Sequence, residues 1–469
     1  MKTLLAFLLI LSAETFISST ACSSEEANRI TSERPDNKVI RVSIGTKVTA
    51  DIDNLSISSD NQRQYLGFEL IARFQHYNPK PAHPDDHYDR HIYSPKSVHF
   101  SSRYGKVYVN SLEGLATVVY DPVGLTKKKA IIHSFNSKNS FLFSDDGSAI
   151  WSPFPDDLSV SLPNSFKGKP VEFAETHNGR YLWVSYYRRD FDRNGSLPSA
   201  VAVIDAGSDS IVKVISTGTV PKMLASSPDG RWLAVIHWGD NTVGLIDVSG
   251  KTPSTFHRAG LIAVGKKFIL DKAGNVNRDT DCGFCLRGAV FSADSRYLFV
   301  GRMRGGGIAV IDVANRLYLG TVFGMKPTPR HLILSKEGSL VYLSSNISGY
   351  VSSYRTKDLI NAALKGIKSL KPVNEVHIGS GARTIVLSPD GFLLFATVNR
   401  RSKVAVIDTS TMKVLLNIPA DSFPVGLDIA PDGSQLWVAS QGRNGEGGNS
   451  VAVYSVQREQ GFQQTASTD

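Results

Sequence analysis

MLASSPDGRWLAVIHWGDNTVGLIDVSG, residues Met223 to Gly250, decides the fold. An apolar run meets a Ser-Pro-Asp-Gly turn, a second apolar run carries an aromatic, and a third ends in Asp. Short alternating runs rich in β-branched residues and joined by tight turns read as antiparallel strands. Gly230 supplies the positive φ that such a turn needs. The unit recurs as KSVHFSSRYGKVYV from Lys96, VEFAETHNGRYLWV from Val171, GAVFSADSRYLFV from Gly288, LILSKEGSLVYL from Leu332, TIVLSPDGFLLFA from Thr384 and GLDIAPDGSQLWV from Gly426. Third strands ending in Asp follow, as in VAVIDAG from Val201 and IAVIDVA from Ile308, then a fourth, as in KVISTG from Lys213. The basic period is about 42 residues, with insertions. Four-stranded units repeated radially make a β-propeller, which hides most of its sheet edges. The expected fold is all-β with seven blades over residues 93–459. Eight blades is the alternative, because the stretch from Phe141 to Lys169 has room for one more.

The N-terminus, MKTLLAFLLILSAETFISSTAC, has the form of a secretory signal over residues 1–21. Its apolar run is too short to span a bilayer, and small residues lead to Cys22. Cys22 after Ala21 predicts lipid modification of the new N-terminus, although Ser19 stands where most such signals carry Leu; ordinary cleavage after Ala21 is the alternative. No other segment is apolar for long enough to cross a membrane. The chain is therefore expected to be exported and lipid-anchored to the outer membrane, with surface display as one form of this. Residues 22–37 read as the modified cysteine and a polar tether. Residues 38–92 contain strand-like stretches outside the repeat, VIRVSIGTKVTADI from Val39 and YLGFELIARF from Tyr65. Either the region is a small β-domain of its own, or Val39 to Val48 gives a short last blade its missing outer strand. Residues 460–469 read as a disordered tail.

The chain has 469 residues, 41% of them hydrophobic, with 39 Gly, 21 Pro and a net charge of +9. That length calls for two domains or a repeat architecture. The positive balance favours anionic partners, such as headgroups, sulfated glycans or acidic proteins, or else serves solubility alone. No nucleic-acid module is present, and an exported chain makes nucleic acid an unsuitable partner.

The repeat resembles the bacterial propeller family named for its Tyr-Val-Thr-Asn signature, which includes surface-layer and lactonase-like proteins. PKSVHFSSRYGKVYVNSLEG, HWGDNTVGLIDVSG, CGFCLRG and GMKPTPRHL resemble more narrowly the leptospiral surface-antigen lipoproteins. That resemblance implies an immunoglobulin-like domain over 38–92 ahead of the propeller, outer-membrane display, and recognition of a partner such as host matrix.

Cys282 and Cys285 in DCGFCLRG leave several chemistries open. Leu286 follows where haem attachment needs His. Four-thiolate zinc lacks a second pair. A redox pair should open a helix, yet a strand follows. In an exported chain the favoured reading is a local disulfide, with a reduced pair, redox work or metal as alternatives.

Counting back eight residues from the turn anchors gives Lys222, Arg287, Arg330 and Arg383 in four successive blades. Inner strands begin there, at the mouth of the central channel. Loops between second and third strands return to the same face with Arg188, Arg304, Arg400 and Arg443, and with His237 and Trp238 nearby. Such a group would hold carboxylate, sulfate or phosphate through charge-assisted hydrogen bonds. Alternatively each cation pairs with a carboxylate such as Asp240 or Glu113, or the mouth is catalytic. HYNPKPAHPDDHYDRH offers His83, His87 and His91 as a metal set, against a solvated linker broken by prolines. No cofactor is implied. The function expected is a monomeric binding module for an acidic protein, glycan or matrix partner. A lactonase-like hydrolase is the alternative, although no assembled nucleophile, base and orienter is visible.

Overall fold

The computed structural model describes residues 39–52, 64–101, 103–143, 165–268, 276–442 and 447–460. Seven sheets are arranged as seven blades. Blade 1 holds Pro95–Ser101, Lys106–Ser111, Ala116–Asp121 and Thr126–Ile132, paired in sequence order. Blade 2 runs from Phe166–Thr176 to Ser210–Thr219, with Ser134–Phe135 added at its inner edge. Blades 3, 4, 5 and 6 start at Pro221–Ser226, Leu286–Phe291, Pro329–Leu334 and Ala382–Leu387. First strands of neighbouring blades touch all round, and that of blade 7, Pro424–Ile429, meets that of blade 1. The ring is closed.

Repeat residues do local work that explains their recurrence. Gly230 sits at φ +72°, and Ser295, the one anchor that is not Gly, holds φ +61°. In the turn of blade 3, the Ser227 hydroxyl donates to Asp229 and accepts from Trp232 N–H. The Asp that ends the third strand in five of the blades caps the next turn, as Asp247 does by accepting from Ser249 N–H at 2.9 Å. Apolar positions between these points are buried between blades, Trp183, Phe299 and Leu394 among them.

The region expected to form a separate N-terminal domain is built into the last blade. Blade 7 has only three strands from the C-terminal part, Pro424–Ile429, Gln435–Ser440 and Ser450–Gln460. Strand Gln64–Gln75 pairs antiparallel with the third of these, and Lys47–Ile52 pairs outside it. Residues from Val39 onward make one compact unit, and an immunoglobulin-like fold is not shown. The driving force is an unpaired edge, since a three-stranded last blade would leave a row of N–H and C=O groups open. Phe68 and Leu70 fill the same core as Leu436 and Val438.

Cys22, the signal segment, Arg443, the tail from residue 461 and most of the insertion after Phe143 lie outside the described residues. No helix among the described residues is long and apolar enough to cross a membrane.

Candidate functional site: a cationic channel mouth

Every inner strand is irregular at its start. In blade 3, Pro221 faces His237 and Met223 faces Ile236, so Lys222 is an extra residue on its strand. Lys96, Arg330 and Val425 occupy the same extra place in blades 1, 5 and 7. Arg287 and Arg383 sit in the matching bulges of blades 4 and 6, and Val171 in that of blade 2. A bulge turns a side chain out of the sheet plane. Here it turns five cations toward one place.

These five line a cavity of about 180 Å³, together with Val171, Leu112, Tyr187, Trp238 and Asp279. Among the described residues two carboxylates pair with them. Asp279 lies 2.5 Å from Lys222 Nζ, and Glu172 lies 2.5 Å from Arg287. Lys222 Nζ is also 4.0 Å from the Trp238 ring centroid, while Trp238 Nε1 donates to the Asp279 carbonyl at 2.9 Å. Lys96 Nζ donates to the Gln441 side-chain oxygen at 2.7 Å. Arg330 reaches the thioether of Met303 at 3.4 Å, and Arg383 faces the Phe423 ring at 5.9 Å. One guanidinium nitrogen of Arg287 is buried without a hydrogen-bond partner.

Burial and mutual repulsion act together on these groups. Lys96 is pulled well below the usual lysine value by burial, then by Arg383, Lys222, Arg287 and Arg330. Burial lowers Lys222 to about 8, with Asp279 opposing it and Arg287 and Arg330 adding to it. Arg383 falls to about 9 and Arg330 well below its usual value for the same reasons, burial first. Beside them His331 is lowered to about 3 by burial and by Arg287 and Arg330, so its ring is neutral. An anion entering here would relieve repulsion as well as gain charge-assisted hydrogen bonds.

The structure separates the residues expected at this mouth. Lys222, Arg287, Arg330, Arg383 and Trp238 come together. His237 does not join them, being fully buried within blade 3 with its ring between Thr242 and Gly218 N–H. Arg188, Arg304 and Arg400 do not line the cavity. Arg188 donates to the Arg193 carbonyl, Arg304 to that of Thr280, and Arg400 belongs to a short 3-10 turn, Asn399–Arg401. Asp240 and Glu113, offered as partners for the mouth, bind Thr242 and Lys169 instead.

Three participants escaped sequence reasoning: Lys96, Asp279 and Glu172. Lys96 was missed because the blade 1 turn carries one extra residue, which shifts a count made from Gly105. The dipeptide Pro95-Lys96, matching Pro221-Lys222 and Pro329-Arg330, is the signal that finds it. Asp279 comes from an insertion between the last strand of blade 3 and the first of blade 4, outside the repeat.

Cys282 and Cys285 form a disulfide directly before the inner strand of blade 4. It closes the end of the loop that carries Asp279. That loop is also pinned by Arg278 N–H to the Asn194 carbonyl and by Arg304 to Thr280.

The histidine-rich loop does not gather its imidazoles. His83 is near Asp85, His87 stacks on Phe74, and His91 lies beside Lys127. No cluster of three or more His, Cys, Asp or Glu suited to a metal occurs among the described residues. A wider groove of about 370 Å³ adjoins this region. Its Asp89 is already held by Lys127, Tyr120 and His91 N–H.

Comparison with known proteins agrees with the propeller. A family model described as lactonase, seven-bladed β-propeller matches residues 324–468. Antigen Lp49 of Leptospira interrogans is 24% identical over 302 residues, covering 60% of this chain and 58% of that protein. A 6-phosphogluconolactonase of Formosa agariphila is 23% identical over 285 residues, covering 57% and 77%. Among solved structures, the Swd1 propeller domain of Myceliophteria thermophila superposes with TM-score 0.54 at 12% identity, over 78% of this chain and 97% of that one. Hydrazine synthase of Kuenenia stuttgartiensis gives 0.52 at 14%, over 78% and 96%. At such identities the structural likeness concerns fold alone.

Proposed function

We propose that this propeller is a recognition module that binds a small anionic ligand, or one projecting acidic group of a larger partner, in its channel mouth. The observation that carries this reading is the set of five cations on equivalent bulges, converging on one cavity with two carboxylates. A volume of about 180 Å³ admits a phosphate, sulfate or sugar-acid group, so a glycan or acidic protein would enter by one such group. Isothermal titration with inorganic phosphate, sulfate and a sulfated disaccharide tests it. Saturable binding that weakens with salt and disappears in a folded Arg330→Met/Arg383→Met variant is expected. Binding unchanged in that variant would overturn the reading.

A second reading is hydrolysis of an anionic lactone in the same mouth. It is supported by the lactonase family match and by the name of the Formosa relative. The arrangement can hold the anionic end on Arg330 and Arg383, and Lys222, near 8, has a pKa suited to proton transfer. Turnover of a carboxylated or phosphorylated lactone that is lost in Lys222→Met would favour the enzyme. Binding without turnover would favour the recognition module. Export and anchorage at Cys22 belong to the same proposal, and retained fatty-acid labelling of Cys22→Ser would overturn the anchor.

A further inference from the structure

The two lysines of the mouth differ in their partners. Lys222 has the Asp279 carboxylate at 2.5 Å, an ion pair that favours its ammonium form. Among the described residues Lys96 has only the neutral amide oxygen of Gln441, 2.7 Å away. That amide is fixed by its own donation to the Ser94 hydroxyl at 2.7 Å, which aims its oxygen at Lys96. The nearby charges that act most strongly on Lys96 are cations, Arg383, Lys222, Arg287 and Arg330. Guanidiniums keep their protons in proteins, so crowding of this kind is relieved at the lysine. A neutral amine still donates one hydrogen bond to Gln441 and keeps a lone pair for the cavity. Desolvated lysines beside other cations are the usual setting for amine nucleophiles.

We propose that Lys96 is a nucleophilic amine that condenses with the carbonyl group of an anionic aldehyde or ketone held by Arg287, Arg330 and Arg383. The ligand class rests on the reading of the mouth as an anion site. The Nζ lone pair attacks the carbonyl carbon and forms the N–C bond, while the C=O pair moves to oxygen. Both amine protons leave with that oxygen as water, and a C=N bond remains. No oxidant or reductant is consumed.

Pyridoxal 5′-phosphate is the probe, with pyridoxal as its counterpart lacking phosphate. The purified chain is treated with each at neutral pH, reduced with borohydride and mapped by peptide mass spectrometry. Lys96 is expected to carry the label, about tenfold more from the phosphorylated aldehyde, which corresponds to 1.4 kcal/mol. Inorganic phosphate should protect it. Lys96→Arg should abolish this label, and an unchanged denaturant midpoint shows that the variant is folded. Label spread equally over Lys222 and surface lysines would overturn the proposal. So would an unlabelled Lys96 in a protein that still binds phosphate, which leaves the anion site standing. Equal labelling of Lys96 by both aldehydes, unprotected by phosphate, would instead overturn the anion site and the ligand class with it.

Discussion

Arg73 and Arg383 are guanidiniums withdrawn from bulk water, and their surroundings are opposite. Arg73, on the N-terminal strand that completes blade 7, is 4% exposed. It meets Asp421 at 3.1 Å, Asp86 at 3.2 Å, the Tyr77 hydroxyl at 2.9 Å and the Val42 carbonyl. Burial opposes its charge, but Asp421, Tyr77 and Asp86 outweigh that and hold its pKa above the usual value. Asp421 in turn accepts from Val42 N–H and the Ser450 hydroxyl, which ties both chain ends into one blade. Arg383 has an aromatic face and other cations around it, and its pKa is pushed down. A buried charge with full compensation belongs to the fold, whereas one surrounded by like charges is waiting for something from outside.

Arg73→Met should break the first environment and produce the largest effect. It leaves Asp421 buried without its cation, which costs roughly 3–5 kcal/mol. Denaturant unfolding should show that loss, and an unchanged midpoint would remove the clasp from the account of ring closure. Arg383→Met should do the reverse. The fold should keep or gain stability, because one repelling charge is replaced by an apolar chain of similar reach. Phosphate should then cease to raise Tm, whereas in the native protein a ligand at 100 times its Kd adds about 2.7 kcal/mol.

A pH series sharpens the contrast. Lys222 loses its proton near 8 in the folded chain, against 10.5 for the ordinary side chain. Between those values the unfolded chain binds more protons, so stability of the free protein should rise with pH across about 8 to 10.5. Stabilisation by phosphate should shrink over the same window. Lys222→Met should flatten the first trend, and a native curve that falls there would contradict the assigned depression.

Asp279→Asn should give the smallest effect. Removing a resident counter-charge leaves the mouth more positive, and phosphate should bind tighter by up to about tenfold. Weaker binding would mean that Asp279 orders Lys222 for the ligand instead of competing with it.

The strands, their turns and the blade count were readable because each depends on local chemistry repeated down the chain. Ser-Pro-Asp-Gly and the Asp that ends VAVID satisfy their own backbone neighbours, so their meaning travels with them. Lys222, Arg287, Arg330 and Arg383 were found for a related reason, since register within a strand is set by its turn. Lys96 slipped when one extra residue entered such a turn. Loop residues had no register to rely on. His237, Arg188, Arg304 and Arg400 were placed by counting into loops, and packing sent them elsewhere.

The amino-acid sequence alone therefore determined a seven-fold repeat of four strands and most of a cationic ring, because periodic local interactions carry that information. Tertiary structure decided the remainder. It placed residues 64–75 in the last blade, because an open sheet edge is closed by whichever strand lies within reach. It also brought Asp279 and Glu172 to two of the five cations and left Lys96 with an amide. Those pairings join residues tens to hundreds of positions apart, and only ring closure brings them within range of one another.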